Sequence, residues 1–458
     1  MSKDRTLNNE KTYGFSGEIK TWNRIAYGAG DMAVNITWAA LGMFIIYFYT
    51  DVALIPAAAV GTLMFLGRLF DGITDVIVGA LVDKTRTRWG KARPWVLFGA
   101  VPFAVFSTLL FAVPNVSNSG KLLYAYVTYL LMTIAFTAVC IPVGTINTLM
   151  TKDINERAKL NVFRMFMAQI GFLFVTTVTL PMVKSFGDNQ RAWVITFALL
   201  TTLSVILCWF TVAGTREIRE IRDADKEEVT FSTRCKAMFQ NKYWLLATGF
   251  FLVFSIGYAL NQAALVYYSK WLLGNEQLVS LLTWAFLLPV MIGFLGLPKL
   301  IRSFGKTKLM IAGILISIVG LLLMALFPFS LGVAIASQII KGIGQIPLLG
   351  IVWALFPDTI EYGEWKTGIR SEGLLYSSGS FAQKLGIGLG SALLSWVLAL
   401  GNYNGSLSTQ PETALTAIKW SFIYVPIATF ILQLAILYFY DLDKKLPKIM
   451  QDLENRKQ

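Results

Sequence analysis

The chain has no histidine among its 458 residues and only three cysteines. Without an imidazole there is no histidine-ligated metal, no serine–histidine triad and no histidine proton relay. Cys140, Cys208 and Cys235 fall in two apolar runs and one basic loop, with no CxxC pair among them. Neither a disulfide framework nor a thiolate metal site follows from that spacing. Charge is also scarce: 15% of residues are charged and 55% are hydrophobic, against about 25% charged in an ordinary soluble domain. The polar N-terminal stretch, residues 1–24, has no apolar core and no small-residue cleavage site of a secretory signal. It reads as a cytoplasmic tail.

What the chain does have is long hydrophobic runs. A membrane-crossing helix needs about 20 apolar residues, and about twelve segments qualify. They are Ile25–Tyr49, Ala57–Val82, Trp95–Val113, Leu122–Met150, Val162–Val183, Ala192–Gly214, Tyr243–Tyr268, Leu278–Leu297, Leu309–Phe327, Leu331–Phe356, Leu374–Leu400 and Leu415–Tyr440. Basic residues gather in alternate connections. Lys84, Arg86, Arg88, Lys91 and Arg93 follow the second run, and Lys299, Arg302, Lys306 and Lys308 follow the eighth. The net charge of +13 is therefore the signature of loops on the cytoplasmic side of a cell membrane, and a nucleic-acid partner is not expected.

These observations predict an all-α membrane protein with twelve transmembrane helices and both termini in the cytoplasm. An N-terminal six-helix bundle over 25–214 precedes a linker over 215–242, whose mixed charges read as a solvated helix face. A C-terminal six-helix bundle over 243–440 ends in a tail over 441–458. The halves echo each other: Gly90-Lys91-Ala92-Arg93 opens the third run and Gly305-Lys306-Thr307-Lys308 opens the ninth. Duplicated six-helix halves are the plan of the major facilitator fold. Helix breakers mark three runs: Pro142 and Gly144 are expected to interrupt the fourth, and Lys341–Gly350 to loosen the tenth. Gly386 and Gly390 in the eleventh form a GxxxG pair that reads as close helix packing.

Inside the second run lie Arg68, Asp71 and Asp75, spaced three and four residues apart and so on one helix face. A charge at mid-membrane depth costs about 3 kcal/mol on insertion scales unless it is paired or hydrated. One reading is a structural pair of acids neutralised by Arg68. The other is a site where carboxylate and hydroxyl oxygens hold a sodium ion or accept a proton, with Thr74 and Thr137 as further ligands. Lys384 lies about ten residues, or about 15 Å, into the eleventh run, too deep to reach the interface comfortably, and is expected to pair with this cluster. Lys341 is a second base at depth. Asp31 and Asn35, a turn apart in the first run, and Arg164 in the fifth offer hydrogen bonds to sugar hydroxyls, and Trp353 offers a stacking surface. Asp83, Asp358, Glu361 and Arg370 are expected to form cytoplasmic salt bridges that rearrange during gating.

Long motifs now match a known family. YGAGDMAVN, YFYTDVALIPAAAVGTL, GRLFDGITDVIVGALVDKTRTRWGKARPW, DTIEYGEWKTGIRSEG and YSSGSFAQK resemble the glycoside–pentoside–hexuronide:cation symporters, the melibiose permease family. The resemblance runs over nearly the whole chain after the N-terminal tail. It implies cation ligation by Asp71, Asp75, Thr74 and Thr137, and places Arg68, Arg164 and Lys384 at positions of family importance. The chain departs from the galactoside members at Asn35 and Cys140, where those carry aspartates for the sugar, and at Gly144, where they carry a stacking tryptophan. The likeness is greater to the glucuronide and xyloside branch. The implied activity is symport of a glycoside (a β-xyloside, an isoprimeverose-like pentoside or a β-glucuronide) with a proton or sodium ion as coupling cation and no cofactor. The expected partners are that glycoside, the cation and the lipid bilayer, for a monomeric carrier. An uncoupled facilitator or exporter remains a rival reading. An intramembrane enzyme suits the residues less well, because both acids lie on one helix with no nucleophile beside them.

Overall fold

In hydrocarbon every backbone N–H and C=O must be satisfied within its own segment, so apolar runs of this length have to be helical. The computed structural model describes residues 19–151, 153–217, 236–368 and 372–457. Among the described residues all regular elements are helices, apart from one isolated bridge between Thr87 and Gly90. They are α1 (Thr21–Tyr47, running into a π turn at Phe48–Val52), α2 (Ala57–Lys84), α3 (Arg93–Leu109), α4 (Asn118–Met150), α5 (Ile154–Ser185) and α6 (Gln190–Gly214). After the linker come α7 (Lys242–Trp271), α8 (Leu278–Phe304), α9 (Lys306–Leu326), α10 (Leu331–Ile351) and α11 (Leu355–Thr367). The chain closes with α12 (Glu372–Leu400), α13 (Glu412–Lys419), α14 (Val425–Tyr438) and α15 (Leu442–Lys457). Among the described residues ten helices are long and apolar enough to cross a membrane, and α3 is a shorter apolar helix.

The residues pack as two compact units. One takes in α1 up to Leu41 and the chain from Ile73 through α6; the other takes the rest of α1 from Gly42, α2 up to Gly72, and the described chain from Lys236 onward. Phe111, Trp193 and Phe197 stack in the core of the first, with Phe111 and Phe197 centroids 3.6 Å apart. Phe250, Phe251, Phe254, Leu348, Leu355 and Phe356 are among the core residues of the second.

Two expected interruptions are absent. α4 is continuous through Pro142 and Gly144, and α10 is continuous through Pro347. The glycines of α10 serve close approach instead of loosening the backbone. A methyl group at Gly342 would strike the Phe286 carbonyl of α8, and one at Gly344 would strike the Gly313 carbonyl of α9. The break comes later, at the tight turn Val352–Ala354, from which α11 continues to Thr367. Gly386 and Gly390 do pack closely, both against the α7 backbone, at Leu252 and Ile256.

The two echoing turns have the same construction. Gly90 adopts φ +109° and Gly305 φ +81°, a region open to glycine. The freed N–H groups at the start of α3 are then met by one carboxylate. Glu217 Oε2 accepts from Lys91 N at 2.6 Å, and its Oε1 accepts from Ala92 N and Arg93 N at 3.0 and 2.8 Å. At α9, Asp443 Oδ2 accepts from Thr307 N and Thr307 Oγ1 at 2.7 and 2.8 Å. Glu217 follows α6 and Asp443 lies in the first turn of α15, and each complements the positive end of a helix dipole, a contribution of about 1 kcal/mol. Glu217 thus corrects the reading of Thr215–Lys242 as a solvated face: it is buried. Residues 218–235 of that linker lie outside the described residues.

Glu156, ahead of the apolar part of α5, ties that helix to the start of α1. Its Oε2 accepts from Ile19 N and Arg24 at 3.2 and 2.9 Å, and its Oε1 from Lys159 at 2.8 Å. The Lys159 hydrogen bond, followed by those of Arg24 and Ile19, outweighs burial and brings its pKa down to about 2. A carboxylate whose folded pKa is depressed stabilises the fold above its ordinary pKa and loses that contribution as pH falls through the depressed value. The thermal-stability advantage of the wild type over Glu156→Gln is therefore expected in full at neutral pH. It shrinks between about pH 4.5 and about pH 2, which melting curves across that range will show. A constant advantage down to the acid end would contradict this assignment.

Candidate functional site

α2 has two faces. Ile73, Val76 and Ile77 point outward, Val76 being 74% exposed, as suits a helix side turned to lipid. Arg68, Asp71, Thr74 and Val78 are buried on the other side, Asp71 at 1% exposure. The charge stripe legible in the sequence is thus turned away from lipid.

In the second unit, Lys384 Nζ of α12 lies 3.0 Å from Asp71 Oδ2, and Arg68 lies 3.7 Å from the same oxygen. The two helices can approach because Gly388 faces the Arg68 side chain, leaving 2.7 Å between a built methyl and Arg68 Cβ, and Gly72 faces the Phe381 ring. Two cations thus flank one buried acid, in a place where an isolated charge would be costly.

In the first unit, the next turn of α2 presents oxygens. Thr137 Oγ1 of α4 donates to Asp75 Oδ1 at 3.2 Å, and Thr74 and Thr137 hydroxyls lie 3.4 Å apart. A carboxylate with two hydroxyls is an oxygen set suited to a hard monovalent cation, or to a proton taken up by Asp75.

The sugar candidates fall in both units. Asn35 Nδ2 donates to the Asp31 carbonyl at 2.8 Å, and Arg164 Nε is 3.9 Å from Asp31 Oδ2. Gly144 sits beside Arg164, with room for a methyl 3.7 Å from the guanidinium. Trp353, on the turn after α10, is exposed and packs edge-on to Phe251 at 4.7 Å and beside Phe356 at 5.9 Å, against the aromatic core of the second unit. Of the gating candidates, Asp358 is buried and pairs with Lys306, and Glu361 lies on the same helix, α11. Arg370 and the side chain of Asp83 lie outside the described residues.

One cluster was not singled out from the sequence. Asp51, on the π turn after α1, accepts from Lys270 Nζ at 2.8 Å and from the Tyr403 hydroxyl at 2.7 Å through Oδ1. Its Oδ2 accepts from Thr50 at 2.8 Å, and Thr50 meets Tyr267 at 2.7 Å. The only available signal was an acid closing the motif YFYTD at the end of an apolar run, which reads equally as an interface residue.

Against this geometry, the sequence profile of the MFS/sugar transport protein family matches residues 26–444. The chain belongs to this family. The transporter is 32% identical over 439 residues to an isoprimeverose transporter of Lactiplantibacillus pentosus, covering 94% of this chain and 91% of the relative. It is 33% identical over 448 residues to a glucuronide carrier protein homolog of Escherichia coli (strain K12), covering 95% and 96%. These relatives agree with the glycoside–pentoside–hexuronide:cation symporter motifs. Among solved structures it resembles the nucleoside transporter NupG, with a TM-score of 0.62 at 15% identity over 91% of this chain and 99% of that one. At that identity the likeness concerns the major facilitator fold alone. The chain is a multi-pass membrane transporter for a sugar or glycoside, and not an enzyme.

Proposed function

We propose that the transporter couples import of a glycoside to a monovalent cation by alternating access of two six-helix halves, with twelve spans and both termini cytoplasmic. The observation that carries this reading is the composition of the inward face of α2: Asp71 is held by Lys384, and one turn on Asp75 is met by Thr137. Cation binding at Asp75, with Thr74, Thr137 and Asp71 contributing, changes the charge balance that positions Lys384. The sugar then binds with better geometry; Asp31, Asn35 and Arg164 are the proposed partners for its hydroxyls in the first unit, and Arg68, Lys384 and Trp353 those in the second. Coupling of this kind is reciprocal: if the cation raises sugar affinity, the sugar raises cation affinity by the same factor. The Lys306–Asp358 pair, with Asp83, Glu361 and Arg370, serves as a gate that rearranges between states. The relatives' names speak of isoprimeverose, a glucuronide and a glycoside; together with the motif resemblance they support a β-xyloside, an isoprimeverose-like pentoside or a β-glucuronide as the proposed substrate. No cofactor beyond the coupling cation is invoked, and a monomer suffices.

The test is uptake of a radiolabelled xyloside and glucuronide panel into proteoliposomes, with sodium and pH gradients imposed separately. Accumulation above the outside concentration under one of the two gradients is expected. Uptake that merely equilibrates, whatever the gradient, would convert the reading to facilitated diffusion.

A further inference from the structure

α10 carries a polar side that the mechanism above leaves unused. Ile339 and Ile343 are exposed on one side of this helix, whereas Gln338, Lys341 and Gln345, three and four residues apart, are buried on the other. Lys341 Nζ donates to Asn261 Oδ1 of α7 at 2.7 Å. It also lies 5.0 and 5.5 Å from the ring centroids of Phe286 and Phe422. Asn261 is fixed in turn by its own amide, which donates to the Phe422 carbonyl at 3.0 Å. One turn beyond Lys341, the buried Gln345 Oε1 has no hydrogen-bond partner among the described residues.

An ammonium carries three donors, and here one of them is engaged. Arg68 and Lys384 have Asp71, Arg164 has Asp31, Lys270 has Asp51 and Lys306 has Asp358 within ion-pair distance. Lys341 has no carboxylate within that distance among the described residues. Aromatic faces and one amide oxygen offset only part of the cost of burying such a charge. What the site lacks is an anion.

We propose that Lys341 and Gln345 form a subsite that reads a carboxylate on the transported glycoside, which makes the substrate a hexuronide in preference to a neutral pentoside. The ammonium pairs with the carboxylate through its two remaining donors, and Gln345 Oε1 accepts a hydrogen bond from a neighbouring sugar hydroxyl. Chemistry sharpens the choice: a β-xyloside is the same pyranose as a β-glucuronide with the carboxylate at C5 removed. A single buried cation therefore decides between the two substrate classes. Asn261 and the rings of Phe286 and Phe422 hold that cation in place without neutralising it. The proposal rests on the reading of the chain as a glycoside importer.

The test compares p-nitrophenyl β-glucuronide with p-nitrophenyl β-xyloside as labelled substrates for the full chain in proteoliposomes. Lys341→Gln is expected to raise the glucuronide KM about 10- to 100-fold, the loss of one charge-assisted contact, while xyloside uptake changes less than about twofold. Lys341→Arg, which keeps the charge, retains glucuronide uptake to within about tenfold. Where the wild type refuses the xyloside, the uncharged methyl ester of the glucuronide is the comparator. Melting curves check folding, and Lys341→Met replaces the glutamine variant should that one not fold. Equal losses for charged and neutral sugars, or no loss for either, overturn the subsite. Wild-type uptake of the xyloside with none of the glucuronide overturns the subsite and leaves glycoside transport standing; uptake of neither, nor of the ester, overturns both.

Discussion

Asp71→Asn and Asp75→Asn are each expected to abolish gradient-driven accumulation of sugar, and to do so at different cost to the fold. Asp71 is 1% exposed and lies 3.0 Å from Lys384. Removing its charge leaves two buried cations without their acid, a change that costs about 3–5 kcal/mol for a typical buried pair. Loss of transport in that variant alone would therefore be ambiguous. The double variant Asp71→Asn with Lys384→Gln removes the acid together with its nearer cation, Arg68 staying in place, and is expected to recover part of the melting temperature while accumulation stays at the equilibrium level. Asp75 is half-buried and accepts from the Thr137 hydroxyl; Asp75→Asn keeps an acceptor for that bond and is expected to fold with a loss of about 1 kcal/mol and still fail to concentrate sugar. The measurement is sugar content of vesicles under an imposed sodium or proton gradient, with melting curves on the same preparations. Concentrative uptake persisting in both single variants would remove the cation from these carboxylates.

The stripe on α2 was legible because it breaks a rule of its surroundings. Charges three and four apart within an apolar run declare both the helix face and its inward direction, and the structure buries Arg68, Asp71 and Thr74 on that side. Lys384 was legible from depth alone, since a lysine ten residues into a span cannot easily snorkel. Most helices were equally plain, because hydrocarbon leaves the backbone few alternatives. What stayed hidden depends on partners distant in sequence. Glu217 caps α3 from 125 residues away, and in the sequence it is one acid in a mixed-charge run. Gly342 and Gly344 read as breakers because the sequence shows a missing side chain without showing the Phe286 and Gly313 backbones that need the space. Pro142 and Pro347 read as breakers too, yet α4 and α10 run on through them. The nearest real break, Val352–Ala354, contains neither glycine nor proline.

The second large effect is expected at Asp51. Its side chain is 2% exposed and carries the charge of a network joining the π turn after α1 to α7 and to Tyr403. Asparagine preserves the shape and one acceptor but leaves Lys270 without its acid. Lys270 is 25% exposed and also faces the Tyr47 and Trp271 rings at 4.8 and 5.1 Å, so water and those rings soften the loss. The cost should fall at the low end for a broken buried pair, roughly 3 kcal/mol. Lys270→Met in the same chain removes the orphaned cation and should return most of that stability. A purely local packing defect would leave the double variant as unstable as the single one. The five residues Phe48–Val52 form a π turn, an irregular segment that side-chain contacts must hold. Their amides are therefore expected to exchange with deuterium faster in Asp51→Asn and to regain much of their protection in the double variant. Wild-type melting together with wild-type protection in Asp51→Asn would show that the turn is held by its aromatic packing, with Tyr267 and Tyr403 sufficing, and that the buried charge has another task.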